Sequence, residues 1–201
     1  MFDPNNLSFR KLELGDIPLI YKWLKEPHVH EWYDREKQNS LEEVTQEYTK
    51  YITGEDPMDG YIVYSEATPI GYIQKYKVSD WPEFAEALGY GVGVAAIDIF
   101  IGEAEFTGKG LGSIIIKKFL KEIVFAEEGI TACLIDPEPE NKRAIRSYEK
   151  AGFKYIKTLD VPPDPGFTYL MEIKRGGSNN LTSSLAAPAI SYEESSTYTT
   201  D

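Results

Sequence analysis

The chain has 201 residues, 42% hydrophobic and 13% aromatic, which suits one domain with an ordinary core and excludes wholesale disorder. A formal net charge of −12 argues against nucleic acid as a partner, since phosphate backbones need a basic face, and leaves cationic small molecules as suited ligands. The single cysteine, Cys133 between Ala132 and Leu134, excludes an internal disulfide framework and reads as a buried strand residue in a reducing compartment.

Met1–Gly15 carries acids and lacks an apolar segment, so no signal peptide is expected. No apolar run approaches the roughly 20 residues that span a bilayer, and a cytoplasmic location is expected. Leu7–Glu13 alternates and predicts a first strand. Asp16 with Pro18 predicts the start of a helix running to about Lys25, with Leu19, Ile20, Trp23 and Leu24 as its apolar face. Pro27 ends it, and His28–Tyr33 is expected to be an exposed aromatic and acidic loop. Ser40 and Glu43 form a capping-box pattern for a second helix to about Tyr51, and Gly54–Gly60 is a turn-rich break.

Tyr61–Ser65 and Ile70–Val78 read as paired strands joined by the turn Glu66–Pro69. Ser79–Tyr90, with Trp81, Glu83, Phe84 and Glu86, is expected to be a surface flap. Val92–Ile101 is a strand, apolar except for Asp98. Gly108, Gly110 and Gly112 follow, with Lys109 between the first two, and an amphipathic helix begins at once with Leu111, Ile115, Ile116, Phe119 and Leu120 inward. Thr131–Asp136 is a strand stopped by Pro137. Asn141 is a suitable N-cap for a helix that Gly152 closes. Phe153–Thr158 and Phe167–Lys174 are the last strands, separated by a proline-rich loop holding Asp164.

Residues 1–175 therefore form one mixed α/β domain of element order β-α-α-β-β-β-α-β-α-β-β. Residues 176–201 are rich in Ser and Thr, hold no basic residue and show no periodicity; they are expected to be a disordered tail or a remnant of engineering. Their three acids leave −9 on the body, so the negative charge belongs mainly to the folded part.

Two features carry chemistry. An aspartate is disfavoured in mid-strand and expensive to bury without a partner, so Asp98 calls for a cationic group beside it. A glycine loop that opens directly into a helix offers backbone N–H groups and a helix N-terminus to an anion. The loop lacks the GK[ST] ending of a P-loop, and its alternating glycines do not match the dinucleotide fingerprint. His28 and His30 with Glu31 lack zinc-ligand spacing, and no metal is expected.

Asn141-Lys-Arg-Ala-Ile-Arg-Ser-Tyr148-Glu-Lys-Ala-Gly-Phe153 resembles the late helix–strand signature of the GCN5-related N-acetyltransferases, and Thr107-Gly-Lys-Gly110-Leu-Gly112 resembles their Q/R-x-x-G-x-G/A loop except at Thr107. That departure keeps the backbone donors and removes one side-chain contact. The resemblance covers roughly Leu7–Arg175 and implies a mixed sheet of about seven strands flanked by about four helices. It implies acetyl-CoA as co-substrate, bound by Ile99, Lys109, Gly110, Leu111, Gly112, Ser113, Asn141 and Ala144. It also implies Tyr148 as a candidate acid near the coenzyme sulfur.

Ala96–Gly102, Asp136-Pro137, the segment Ala144–Phe153 and the early Trp23-Leu24 with Val29–Tyr33 look like the aminoglycoside 6′-N-acetyltransferases within that superfamily. By this resemblance the acceptor is the 6′-amine of an aminoglycoside antibiotic, and acetylation confers resistance. Asp98 would hold the ammonium and accept its proton, and a backbone N–H of Ile97–Phe100 would meet the oxyanion. A polycation wants several carboxylates, which Glu31, Glu83, Asp98, Asp136 and Asp164 could supply, with Trp32, Tyr33 and Trp81 as platforms for sugar faces. Acetyltransferases of other amines (a protein N-terminus, a siderophore, a polyamine) share the glycine loop and the late helix. A non-catalytic coenzyme-binding module would share the fold without turnover.

Overall fold

A computed structural model describes residues 6–33, 40–160 and 167–176. Asp164 and residues 177–201 lie outside them. Seven strands form one sheet: β1 (Leu7–Lys11), β2 (Met58–Ser65), β3 (Thr68–Lys77), β4 (Val94–Ile101), β5 (Ala132–Ile135), β6 (Lys154–Asp160) and β7 (Phe167–Lys174). Their spatial order is β1-β2-β3-β4-β5-β7-β6, antiparallel throughout except between β4 and β5. Among the described residues six α-helices flank the sheet: α1 (Ile17–Leu24), α2 (Pro27–His30), α3 (Leu41–Thr53), α4 (Pro82–Leu88), α5 (Leu111–Phe119) and α6 (Lys142–Ala151). The four expected helices are α1, α3, α5 and α6. No helix among the described residues is long and apolar enough to cross a membrane.

Local chemistry explains most boundaries. Ser40 accepts from the Glu43 N–H while Glu43 reaches back to the Ser40 N–H, so α3 opens on the expected capping box, and Gly54 closes it in the left-handed region. Asn141 Oδ1 accepts from the Ala144 N–H at 3.0 Å, and Gly152 ends α6 at φ 111°. Asp16 is used differently from a side-chain N-cap. Its carboxylate accepts from the Glu13 N–H at 2.9 Å and from Arg10 at 2.6 Å.

Two segments are more ordered than expected. In place of an exposed loop at His28–Tyr33, Pro27 starts the single turn α2, which buries Val29 and leaves Trp32 and Tyr33 half-covered. In place of a surface flap, Pro82 sits at the first turn of α4 and Gly89 closes it, so Ala85 and Leu88 are buried against Val78, Ala96 and Leu134. Each segment holds a proline start and buried apolar positions at helical spacing.

Side-chain alternation divides the two faces of the central strands. Ile73, Ala95 and Ile97 point to a large cluster under α5 and α6. Tyr72, Ala96 and Phe100 point the other way, where the core is split: one cluster under α1 and α3 holds Tyr72 and Phe100, another under α4 holds Ala96. Gln74 and Asp98, paired across β3 and β4, stand on the strip between them.

At the end of β4, Gly102 is required by space. A Cβ there would lie 2.2 Å from the ring of Trp23, which is fully buried and whose Nε1 donates to Glu103 at 2.8 Å. Gly102→Ala is expected to lower the unfolding free energy by about 1–3 kcal/mol through overpacking, read as a fall in the urea midpoint at unchanged slope.

Candidate active site

The β4–β5 pairing ends at Ala96 and Leu134, although β4 continues five residues further. Beyond that point the two parallel strands have no ladder between them, so the sheet opens at their C-terminal ends, where crossover loops and helix N-termini gather. The opening is a cleft of about 380 Å³. Its walls include Asp98, Ile99, Gly110, Leu111, Gly112 and Ser113 from β4, the glycine loop and α5. Opposite them stand Asp136 just after β5, Asn141 at the N-cap of α6, and Ala144 and Tyr148 from α6, and Trp32 and Tyr33 follow α2 at one side.

Asp98 is half-buried, and its Oδ2 accepts from Gln74 Nε2 at 2.8 Å; Tyr72 in turn donates to Gln74 Oε1 at 2.8 Å. Gln74 thus fixes one carboxylate oxygen from the neighbouring strand. Asp136 follows β5, and Thr168 Oγ1 lies 2.6 Å from its carbonyl and 3.3 Å from its carboxylate. The two acids act together electrostatically. Burial, and then the charges of Asp98 and Asp136, push the hydroxyls of Tyr148 and Tyr76 well above the usual tyrosine range. The thiol of Cys133, buried in β5, is pushed up by burial and then by Asp98, so it is an inert packing group, as its neighbours predict.

The glycine loop has the form an anion needs. Gly108 and Gly110 take φ values of 73° and 77°, and a Cβ at either would meet nothing within 4 Å. Gly110 stands at the N-cap of α5, where it offers no side chain to the first N–H groups of the helix. Gly112 has another role. A Cβ there would lie 2.7 Å from Ser147 Oγ, which shows how closely α5 and α6 approach. The residues present therefore fit the pyrophosphate of a coenzyme: open space, left-handed glycines and a helix start with no N-cap side chain converge on one wall.

Lys109, Glu31 and Glu83 are not among the residues lining the cleft. Lys109 extends over the Phe106 ring at 5.7 Å, and Glu31 and Glu83 are exposed. Trp81 packs edge-on to Tyr76 with centroids 6.4 Å apart, and its buried Nε1 has no hydrogen-bond partner among the described residues. The structure also brings in residues that sequence reasoning missed. His28 bonds through Nε2 to the Ile101 carbonyl at 2.9 Å, and Arg143, Arg146, Ser147 and Lys150 line the α6 side. The cations were findable from their i, i+3, i+7 spacing beside Asn141.

A family model described as an acetyltransferase (GNAT) domain matches residues 13–161. The aminoglycoside N(6′)-acetyltransferase type 1 of Klebsiella pneumoniae is 30% identical over 177 residues, which cover 85% of each chain. The crystal structure of the aminoglycoside acetyltransferase AAC(6′)-Ib with coenzyme A and kanamycin is similar at a TM-score of 0.71 and 32% identity, over 85% of this chain and 96% of that one. The same enzyme with paromomycin and acetyl-CoA gives a TM-score of 0.73 at 31% identity, over 86% of this chain and 95% of that one.

Proposed function

Since the chain belongs to the GNAT acetyltransferases, and within them to the aminoglycoside 6′-N-acetyltransferases, we propose that it transfers acetyl from acetyl-CoA to the 6′-amine of an aminoglycoside antibiotic. The product is a drug with one cationic amine fewer, and the activity confers resistance. The observation that carries the reading is Asp98, a carboxylate held by Gln74 inside the central strand, in the cleft that also contains the open glycine loop. Donor and acceptor machinery share one opening. A cytoplasmic location accords with acetyl-CoA as the donor.

The chemistry follows from the residues. The thioester supplies an activated acetyl group, and the acceptor must attack as a neutral amine. Asp98 holds the substrate's ammonium and takes its proton, directly or through water. Backbone N–H groups on the open side of β4, at Ile97–Phe100, receive the charge that develops on the carbonyl oxygen. Tyr148 gives a proton to the departing thiolate. The amine nitrogen gains the acetyl group and loses its second proton to solvent, from which Tyr148 recovers its own; the carbon–sulfur bond breaks, free coenzyme A leaves with its thiol restored, and Asp98 returns the first proton to water. Asp136 adds a second negative charge for the remaining ammonium groups of the drug, and Trp32 and Tyr33 offer ring faces to its sugars.

Release of coenzyme A with kanamycin or tobramycin as acceptor, and with spermidine as a polycationic control, tests this reading. Turnover with the antibiotics alone is expected. Activity with spermidine alone would move the enzyme to another amine class. Affinity for the antibiotic is also expected to weaken steeply between low and high salt, because several cationic amines face several carboxylates. Salt-independent affinity, measured by calorimetry, would count against Asp98 and Asp136 as its electrostatic partners.

A further inference from the structure

We propose that Gln74 is a positioning residue for the acetyl transfer: its amide holds the Asp98 carboxylate in one orientation and keeps it ionised without cancelling its charge. The inference rests on the reading of Asp98 given above.

Gln74 is 6% exposed and is not among the residues lining the cleft, so what it does for the acceptor passes through Asp98. The two stand directly opposite each other in the β3–β4 register, and Gln74 Nε2 donates to Asp98 Oδ2 at 2.8 Å. The amide's orientation is set from both ends. An ionised carboxylate only accepts, so a rotated amide would set two acceptors, Gln74 Oε1 and Asp98 Oδ2, against each other. At the other end the Tyr72 hydroxyl donates to Oε1 at 2.8 Å. Tyr72 is fully buried, with the rings of Tyr48 and Phe100 each 5.5 Å away between centroids. Gly60 of β2 leaves room for its hydroxyl, since a Cβ there would lie 2.6 Å from it. The Asp98 carboxylate is thus anchored through Gln74 and Tyr72 to the packed interior of the sheet.

A neutral donor is what this position needs. A hydrogen bond from an amide favours the ionised carboxylate and leaves its full charge for the substrate's ammonium, whereas a fixed Arg or Lys would hold the group as firmly and cancel that charge. The next residue on β3 is such a cation, but alternation turns Lys75 to the other face, into ion pairs with Asp59 and Glu127. The groups that feel the charge of Asp98 are Tyr76 of β3, Cys133 of β5 and Tyr148 of α6, all neutral, and Asp136 after β5 is a second acid acting on both tyrosines. His28 of α2, Glu138, and Arg143, Arg146 and Lys150 of α6 are the further charged or titratable groups of the cleft wall. Against the neighbouring acid, the Gln74 donor favours the anion.

The titration of Asp98, followed by carboxyl-carbon NMR in protein made with isotope-labelled aspartate and assigned with Asp98→Asn, tests the proposal without any acceptor. Gln74→Met keeps the length of the side chain and removes the donor. Its Asp98 midpoint is expected about one pH unit above that of the wild-type chain, the effect of one lost hydrogen bond to a charged group. With kanamycin as acceptor, its turnover should fall about tenfold at unchanged KM for acetyl-CoA, and the same substitution in the Asp98→Asn background should cost nothing further. Tyr72→Phe/Gln74→Met removes the buried hydroxyl together with its acceptor, and the same shift is expected from it should the single variant fold poorly. An unmoved midpoint would overturn the proposal, because a merely structural Gln74 would lower the urea midpoint and leave the titration in place. Wild-type turnover in the Met variant, or a loss that multiplies with that of Asp98→Asn, would overturn it too. An Asp98→Asn chain as fast as wild type would remove the general-base reading and this proposal together, whereas a slow Asp98→Asn beside a wild-type-like Gln74→Met would remove Gln74 alone.

Discussion

Asp98→Asn is expected to cut turnover about a hundredfold or more while leaving the fold and coenzyme A binding nearly intact, as the loss of a general base does. The variant isolates charge from shape. Asparagine keeps an oxygen that can accept from Gln74 Nε2, so the chain from Tyr72 through Gln74 to residue 98 survives. What disappears is the negative charge that holds an ammonium and the basicity that removes its proton. Asp98→Ala is the rougher test, because it leaves Gln74 buried with its Nε2 unpartnered and adds a desolvation cost of about 1–3 kcal/mol. Steady-state kinetics with kanamycin, beside calorimetry with coenzyme A, separates the effects. An Asn variant with wild-type turnover would remove Asp98 from the chemistry and leave it a structural carboxylate.

Asp98 was legible because it breaks a pattern. A carboxylate in an apolar strand run is a local anomaly, and no long-range information is needed to see it. The capping of α3 by Ser40 and of α6 by Asn141 was legible for the same reason: cap, helix and first turn lie within a few residues. The splaying of β4 from β5 was not, since Ala96 meets Leu134 across 37 intervening positions and nothing in either strand's composition says where the ladder stops. That splay decides which residues share the cleft. Asp136 enters because it follows the last residue of β5, whereas Glu31 and Glu83 stay exposed on the short helical segments beside the site.

Gln74 and Lys75 show the limit from the other side. They are adjacent polar residues on β3, and strand alternation sends them to opposite faces. Gln74 meets Asp98, while Lys75 is buried in ion pairs with Glu127 and Asp59. Assigning the two roles requires the β3–β4 register, a property of the strand pairing that the residues themselves do not announce. The basic stripe of α6 is a milder case: its spacing is visible in the sequence, but its direction depends on where Ser147 packs against Gly112.

Tyr148→Phe is expected to lower turnover about a hundredfold with little change in the KM for either substrate, the signature of losing an acid that acts only in the transition state. Packing is preserved, because the phenyl ring keeps the contact with Phe153, whose centroid is 6.4 Å away. Burial and the negative charges of Asp98 and Asp136 all favour the neutral hydroxyl, so Tyr148 keeps its proton well beyond the pH at which an unfolded tyrosine, at about 10, releases it. Two consequences have a definite sign. The wild-type rate should show no alkaline fall from this group below about pH 10, and its titration should reduce stability only above that pH, where the unfolded chain gains by ionising. A thiol of ordinary acidity, about 8.5, is the weaker base once it leaves as thiolate, so the transfer is uphill for so reluctant an acid and depends on the hydroxyl being in place as the carbon–sulfur bond stretches. Unchanged turnover in the Phe variant would assign that proton to water and leave Tyr148 as a wall of the cleft. A turnover loss shared with Asp98→Asn, and not multiplied in the double variant, would show the two groups working in one transition state from opposite sides of the same opening.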